Sequence, residues 1–335
     1  MTDVSDLLRD RNGSPPLDAA CAAAQAAART AGVDIRTLDG MAELAAVQRL
    51  YERVWRTGEN HPPVAADLLR AMTKAGSYVS GAFEDGRLVG ACFGFFTPPA
   101  RGALHSHIAG VLPHLRGRSV GFALKLHQRA WTMKRGAHEI CWTYDPLVRR
   151  NAYFNIAKLA ADPSEYLPDF YGPIADDINR GDDSDRILVS WRLQSPDAEL
   201  AGAGRPRLTS ARVARAAGAV VGLGASTAGG PAAGRTDAPT VLVAVPEDVE
   251  ALRVSDPACA AEWRTAVREV LGGLFREGAR VRGFDRAGWY VVDRHATGPV
   301  GTGAAATGRV PAGKATAGRA GGGRAAAGRT SGRAS

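Results

Sequence analysis

The sequence predicts an α/β fold of the layered α+β kind: a mixed, mainly antiparallel sheet flanked by helices. Three observations predict it. Two helical patterns precede three strand-like runs in direct succession, the first two joined by Asp85-Gly86. From there to residue 193 helix and strand patterns alternate. Hydrophobic residues make up 45% and charged residues 23% of 335, the balance of a soluble globular chain.

Taken in order, residues 17–32 are alanine-rich and helix-prone, ending at Gly32. A short strand, VDIRTL, follows. Residues 41–56 carry Leu44, Val47, Leu50, Tyr51 and Val54 at helical spacing, and residues 64–75 form a second helix. SYVSGAF and RLVGACFGFF flank the Asp-Gly turn as a β-hairpin, and LHSHIAGVLP is the next strand. Residues 117–135 form a helix closed by Gly136, with Val120, Ala123, Leu124, Ala130 and Trp131 on one face. HEICWTY is a strand stopped by Asp145-Pro146. In the helix over 149–160, Asn151, Asn155 and Lys158 share one face, and Ala152, Ile156 and Leu159 cover the other. ILVSWRL is a further strand.

Five regions follow from these patterns. Residues 1–32 are an alanine-rich helical extension, and 33–195 are the core. Residues 196–239, poor in large apolar groups, are expected to be a low-complexity, disordered insertion. Residues 240–295 (VLVAV, a helix from Asp256-Pro257, then a hairpin) complete the same domain. Residues 296–335 are a disordered basic Gly/Ala/Arg tail. The tail carries six basic residues and no acidic one, and taking those six from the formal +8 leaves +2 for residues 1–295. The near-neutral body argues against nucleic acid as the main target. The tail has no aromatic residues to stack on bases, so no specific nucleic-acid function is expected. No apolar run reaches 18 residues, and the N-terminus is acidic and polar, so neither a membrane span nor a signal peptide is expected. Cys21, Cys92, Cys141 and Cys259 are widely spaced and read as reduced thiols of a cytoplasmic protein.

The segment richest in chemistry is GVLPHLRGRSVGFALK, residues 110–125. Small residues at Gly117, Ser119 and Gly121 let a ligand approach the backbone. N–H groups at a helix start converge with its positive dipole end, and Arg116 and Arg118 add charge. This strand–loop–helix suits a pyrophosphate, and it also fits an ordinary turn with exposed arginines. His105 and His107 alternate on a strand and so share a face; each taken singly also fits a hydrogen-bonded core position. With His114 they lack a further ligand pattern, so no metal is expected.

Arg116-Gly117-Arg118-Ser119-Val120-Gly121, preceded by Val111 and Pro113, resembles the acyl-CoA loop R/Q-x-x-G-x-G/A of the GNAT acyltransferase superfamily. The order of elements is similar too. HSHIAGVLP, ALKLHQRAW, WTYDPLVRRNAYFN, VLVAVPED and AEWR further resemble a GNAT subgroup associated with N-acylamino-acid racemases. The resemblance covers residues 33–195 and 240–294. It implies a GNAT-like fold whose sheet splays beside the loop. It also implies acetyl-CoA or another acyl-CoA as co-substrate, bound by Gly110, Val111, Arg116, Gly117, Arg118, Ser119, Val120 and Gly121, with Asn151 and Asn155 on the rest of CoA. The reaction it implies is transfer of an acetyl or other short acyl group, with succinyl among the options, to a small amine such as an amino acid. His105 and His107 are the base candidates, Asp145 a second choice, and Tyr153 the acid candidate; Arg149 and Trp142 fall at the substrate. Backbone N–H groups of the central strand would hold the oxyanion. A homodimer is compatible with this reading. The sequence departs from the pattern twice: Ser119 replaces a glycine, and Ile156 stands where the family often has a tyrosine acid. Weaker but retained CoA binding is expected from the first. Both departures also fit a catalytically weak CoA-binding protein whose basic tail tethers it to polyanions.

Overall fold

A computed structural model describes residues 15–57, 62–172, 174 and 181–294. The basic tail and residues 1–14 lie outside them. Its helices are α1 (Pro15–Ala31), α2 (Met41–Trp55), α3 (Ala66–Lys74), α4 (Val120–Lys134), α5 (Arg149–Ala152), α6 (Pro196–Gly202), α7 (Ala211–Ala216), α8 (Val249–Ser255) and α9 (Pro257–Arg276). Its strands are β1 (Asp34–Thr37), β2 (Tyr78–Glu84), β3 (Arg87–Phe96), β4 (Ala103–Val111), β5 (Glu139–Tyr144), β6 (Asp162–Leu167), β7 (Arg186–Arg192), β8 (Val220–Ala225), β9 (Pro231–Ala233), β10 (Thr240–Ala244), β11 (Arg280–Asp285) and β12 (Trp289–Asp293). Among the described residues no helix is long and apolar enough to cross a membrane.

The first sheet runs β1-β2-β3-β4-β5-β7-β6, antiparallel throughout except for the parallel pair β4–β5. Alternation of side chains along its strands supplies two cores. Tyr78, Cys92 and Leu104 face α1 and α4, whereas Val79, Ala91 and Phe93 face α2 and α3. The alanine-rich α1 is thus a structural layer and not an appendage: Leu17, Ala20 and Ala24 are buried in the core of α4. Small side chains let α1 lie close on α4, so α4 is enclosed from both sides. Lys125, Gln128, Arg129 and Thr132 are consequently buried along with its apolar stripe.

The α/β class, mixed and mainly antiparallel with flanking helices, is as the sequence predicts, but there are two sheets. The second runs β11-β12-β10-β8-β9, with β8 and β10 parallel. Residues 196–239 are therefore not a disordered insertion: they supply α6, α7, β8 and β9. Their small residues serve close approach instead. A Cβ on Gly222 would lie 2.6 Å from Val241 Cγ1, and one on Gly234 would lie 2.1 Å from the Val221 carbonyl oxygen. Ser195 and Ser210 cap the two helices by accepting from the N–H groups of Ala198 and Val213. The sequence reading also omits β6, whose Pro163 argues against a strand; β6 is tolerated because it is an edge.

The described residues form one compact unit. The sheets share a core in which Tyr166 and Ile187 join Val243, Trp263 and Val267. Tyr290 Oη donates to the Pro146 carbonyl at 2.9 Å and lies 3.3 Å from Tyr144 Oη.

Candidate active site where β4 and β5 part

Strands β4 and β5 pair through only three residues: Ala103 with Glu139, Leu104 with Ile140 and His105 with Cys141. Beyond them β4 stays bonded to β3 as far as Val111, and β5 to β7 as far as Tyr144. A bulge helps to turn β4 away: Phe93 faces Ile108 and Gly94 faces Ser106, leaving His107 as the extra residue. Glycine is needed opposite, since a Cβ on residue 94 would lie 2.7 Å from the His105 carbonyl oxygen. The gap opens toward the C-terminal ends of two parallel strands, where α/β sheets bind ligands.

At that end lies the loop before α4. Gly117 has φ +88° and Ser119 φ +64°, and the Ser119 side chain at the N-cap makes no capping hydrogen bond. The N–H groups that open the helix and the dipole favour an anion. Among the described residues nothing lies within 4 Å of a Cβ on Gly117, and one on Gly121 would meet only Val111 Cγ2 at 3.9 Å, so there is room above the loop. Arg116 is exposed. Arg118 instead pairs with Glu84 at 2.6 Å, Val120 is buried, and Gly110 is a packing position. A Cβ on Gly110 would lie 2.8 Å from Trp55 Cζ3.

His105 and His107 share a face, their ring centroids 6.2 Å apart beside Phe95. His105 Nδ1 lies 3.7 Å from Cys141 Sγ. Burial, then the nearby His107, Lys125 and Arg101 charges, push the His105 pKa down to about 4. Burial lowers that of His107 too. His105 is therefore neutral at pH 7, with a lone pair able to take a proton.

Lys125 is the residue that sequence reasoning missed. It is 4% exposed, and its Nζ donates to Ser106 Oγ at 2.8 Å and to Gln128 Oε1 at 3.2 Å. The same Nζ stands 3.7 Å above the centre of the Trp142 ring. Ser106 and Trp142 are the first residues past the last β4–β5 pair, so the ammonium bridges the strands where they part. Burial lowers its pKa to about 8, with the adjacent Cys92 and Cys141 acting weakly the other way. The signal was the polar series Lys125, Gln128 and Thr132, spaced i, i+3, i+7 on one side of the helix.

Several expected site residues are engaged elsewhere. Asp145 is buried and accepts from Leu147 N–H, from Arg253 Nη2 at 2.7 Å and from Arg264 Nη1 and Nη2 at 2.8 and 2.9 Å. Burial alone would raise its pKa; Arg264 and then Arg253 override this and hold the carboxyl well below the usual range. It is an ion-pair anchor between the two sheets' layers and not a base. Arg149 is turned to the hairpin, where Nε and Nη2 donate to the Arg286 carbonyl at 2.9 and 2.6 Å. Trp142 is core: its indole N–H donates to Asn155 Oδ1 at 3.2 Å and its ring meets Trp191 edge-on.

Asn155 is thereby 4% exposed and off the surface that Asn151 was expected to share with it. The cause is a change of helical period. After Ala152 the helix widens into a π-helical stretch, Tyr153–Lys158, and Leu159 N–H reaches the Phe154 carbonyl. Asn151 and Tyr153 stay partly accessible, Tyr153 with the Arg286 guanidinium 6.0 Å from its ring centre. Ile156 is fully buried, and Tyr166 donates to Asp185 Oδ2 at 2.6 Å.

Residues 22–154 match the model of the acetyltransferase (GNAT) family. No curated protein matches the chain. Among solved structures, similar ones include a phosphinothricin acetyltransferase of the GNAT superfamily from Sinorhizobium meliloti, in complex with acetyl-CoA. It is 16% identical with a TM-score of 0.39, over 48% of this chain and 87% of that one. An N-acetyltransferase from Staphylococcus aureus is 14% identical, TM-score 0.39, over 48% and 99%. The ribosomal-protein-S18-alanine N-acetyltransferase from Escherichia coli is 13% identical, TM-score 0.38, over 49% and 95%. The similarity to the GNAT acetyltransferase family thus runs from α1 through the first sheet's β5 to the start of the π-helical stretch.

Proposed function

We propose that the protein is an acyl-CoA-dependent N-acyltransferase that transfers an acetyl or other short acyl group to a small amine. The observation that carries this reading is the β4–β5 gap leading onto the uncapped N-terminus of α4, beneath a loop with two residues at positive φ. The pyrophosphate would lie on the α4 N-terminus and the loop from Arg116 to Gly121, and the pantetheine arm in the gap. From Val111 to Ser106 is five steps of strand, roughly 16 Å at 3.3 Å a step, a length suited to that arm.

The chemistry is attack of a neutral amine on a thioester. An alkyl amine of pKa near 10.4 is about one part in 10³ neutral at pH 7, so a proton acceptor contributes up to roughly three decades. Neutral His105 or His107 takes that proton directly or through water, while free N–H groups on the gap-facing edge of β4 stabilise the oxyanion. The acyl donor is acetyl-CoA or a relative such as succinyl-CoA. The resemblance to the racemase-associated subgroup makes amino acids the first amines to test, in a cytoplasmic setting.

Native mass spectrometry of protein purified from cells, followed by calorimetry with acetyl-CoA and succinyl-CoA, tests the cofactor. Thiol release across an amino-acid panel tests catalysis. Retained or titratable acyl-CoA with amine-dependent thiol release is the expected result. Binding without thiol release would instead support a CoA-binding protein that has lost catalysis, and no binding at millimolar thioester would sink both.

A further inference from the structure

The acyl transfer must also dispose of a leaving thiolate, and the usual acid position holds Ile156, an apolar residue buried in the core. Asp145 is locked between two arginines, and Tyr166 is bound to Asp185. Lys125 has the opposite character. Among the described residues no carboxylate pairs with it; its contacts are a hydroxyl, an amide oxygen and an aromatic face. On its side of the sheet stand Ser106 on β4, Trp142 on β5 and Gln128 on α4, with the Cys92 thiol of β3 beside Ser106, while His105 and Cys141 act on it electrostatically from the opposite face. Gln128, which accepts from Lys125, is itself fully buried beside the Cys92 thiol. A buried cation left without an anion is costly to keep. Its position offers a reason, because it spans the two strands at the closed end of the gap.

We propose that Lys125 meets the departing sulfur: its ammonium stabilises the CoA thiolate and then protonates it. This inference rests on the acyltransferase reading above. As the amine nitrogen bonds to the carbonyl carbon, the C–S bond breaks and its electron pair goes to sulfur. A proton from Lys125 Nζ goes to that sulfur, giving free CoA thiol and a neutral lysine. The proton lost by the amine leaves through the histidine side or solvent, and Lys125 recovers one before the next turnover. The proton inventory closes without any further reactant. An ammonium with a pKa of about 8 is well matched to a thiol near 8.5, so transfer in either direction is nearly isoenergetic.

The test needs no acceptor amine. CoA itself is bound to wild type, K125R and K125M, and its thiolate absorbance is titrated against the same protein without CoA. In wild type the bound thiol is expected to ionise at least about one pH unit lower than in K125M, with K125R tracking wild type because it keeps the charge. In turnover with the amine found by the screen, K125M and K125R should both lose about 10²-fold in kcat, since arginine has no proton to give in this range. Circular dichroism confirms that each variant is folded, and K125Q replaces any that is not. Identical thiol titrations in wild type and K125M would overturn the proposal, as would a kcat loss in K125M confined to succinyl-CoA, which would mark Lys125 as a carboxylate anchor. If CoA does not bind wild type at all, the acyltransferase reading falls and this inference falls with it.

Discussion

Ser119 is a non-glycine residue held at φ +64°, in the left-handed region that favours glycine. Such a conformation costs an L-residue about 1–2 kcal/mol, and more if the side chain is β-branched. Ser119→Gly is therefore expected to keep or tighten CoA binding without loss of stability, whereas Ser119→Val should lose about 1–2 kcal/mol. Urea unfolding and calorimetry with CoA read the two effects. The result separates a loop adapted to a ligand from a turn that tolerates any small residue. The departure from glycine was legible in the sequence, but its backbone angle was not, because serine carries no signature of a left-handed conformation.

At the scale of elements, two glycines of the same segment answer to different constraints. A methyl on Gly110 would press on the Trp55 ring of α2, while one on Gly121 meets only Val111 at van der Waals distance. Gly110→Ala should thus cost about 1–3 kcal/mol by overpacking, and Gly121→Ala less than about 0.5 kcal/mol; thermal unfolding decides. Most of the first sheet was legible in the sequence because its strands alternate and its helices keep a 3.6-residue period. What escaped was whatever broke a period or lacked one. The π-helical stretch after Ala152 rotated Asn155 inward, out of the face that regular spacing assigned it. β6 hid behind Pro163, and residues 196–239 offered small side chains where a packing pattern shows only through large ones. The loop before α4 was readable because an anion site of that kind needs particular residue types in sequence. Lys125 was not, because its meaning depends on Ser106 and Trp142, which the chain brings to it from two other strands.

At the scale of the whole molecule, Asp145 and Asp182 are clasped by Arg253 and Arg264, joining the end of β5 to α8 and α9. Removing one member of such a buried set leaves charge uncompensated, so D145N should lose about 3–5 kcal/mol at pH 7 while retaining CoA binding. The sign with pH follows from a folded pKa held below that of the unfolded chain. The Asp145 contribution is fully present above about pH 4 and is lost as the pH falls through the folded value, so wild type and D145N should converge in strong acid. Urea midpoints measured from neutral to acid pH check this, and a D145N protein of wild-type stability but no turnover would return Asp145 to the role of base.

The same sheet that the clasp braces at one end is incomplete in its middle. Three residue pairs join a half made of β1 to β4 to a half made of β5, β7 and β6. Past those pairs, each half presents a naked strand edge to the other. In most proteins an open edge is a hazard that must be guarded against neighbours; here the two edges face inward, where only something slender and extended can reach them. A molecule lying in that space would act as an eighth strand, and the protein's architecture would be finished only while it is at work.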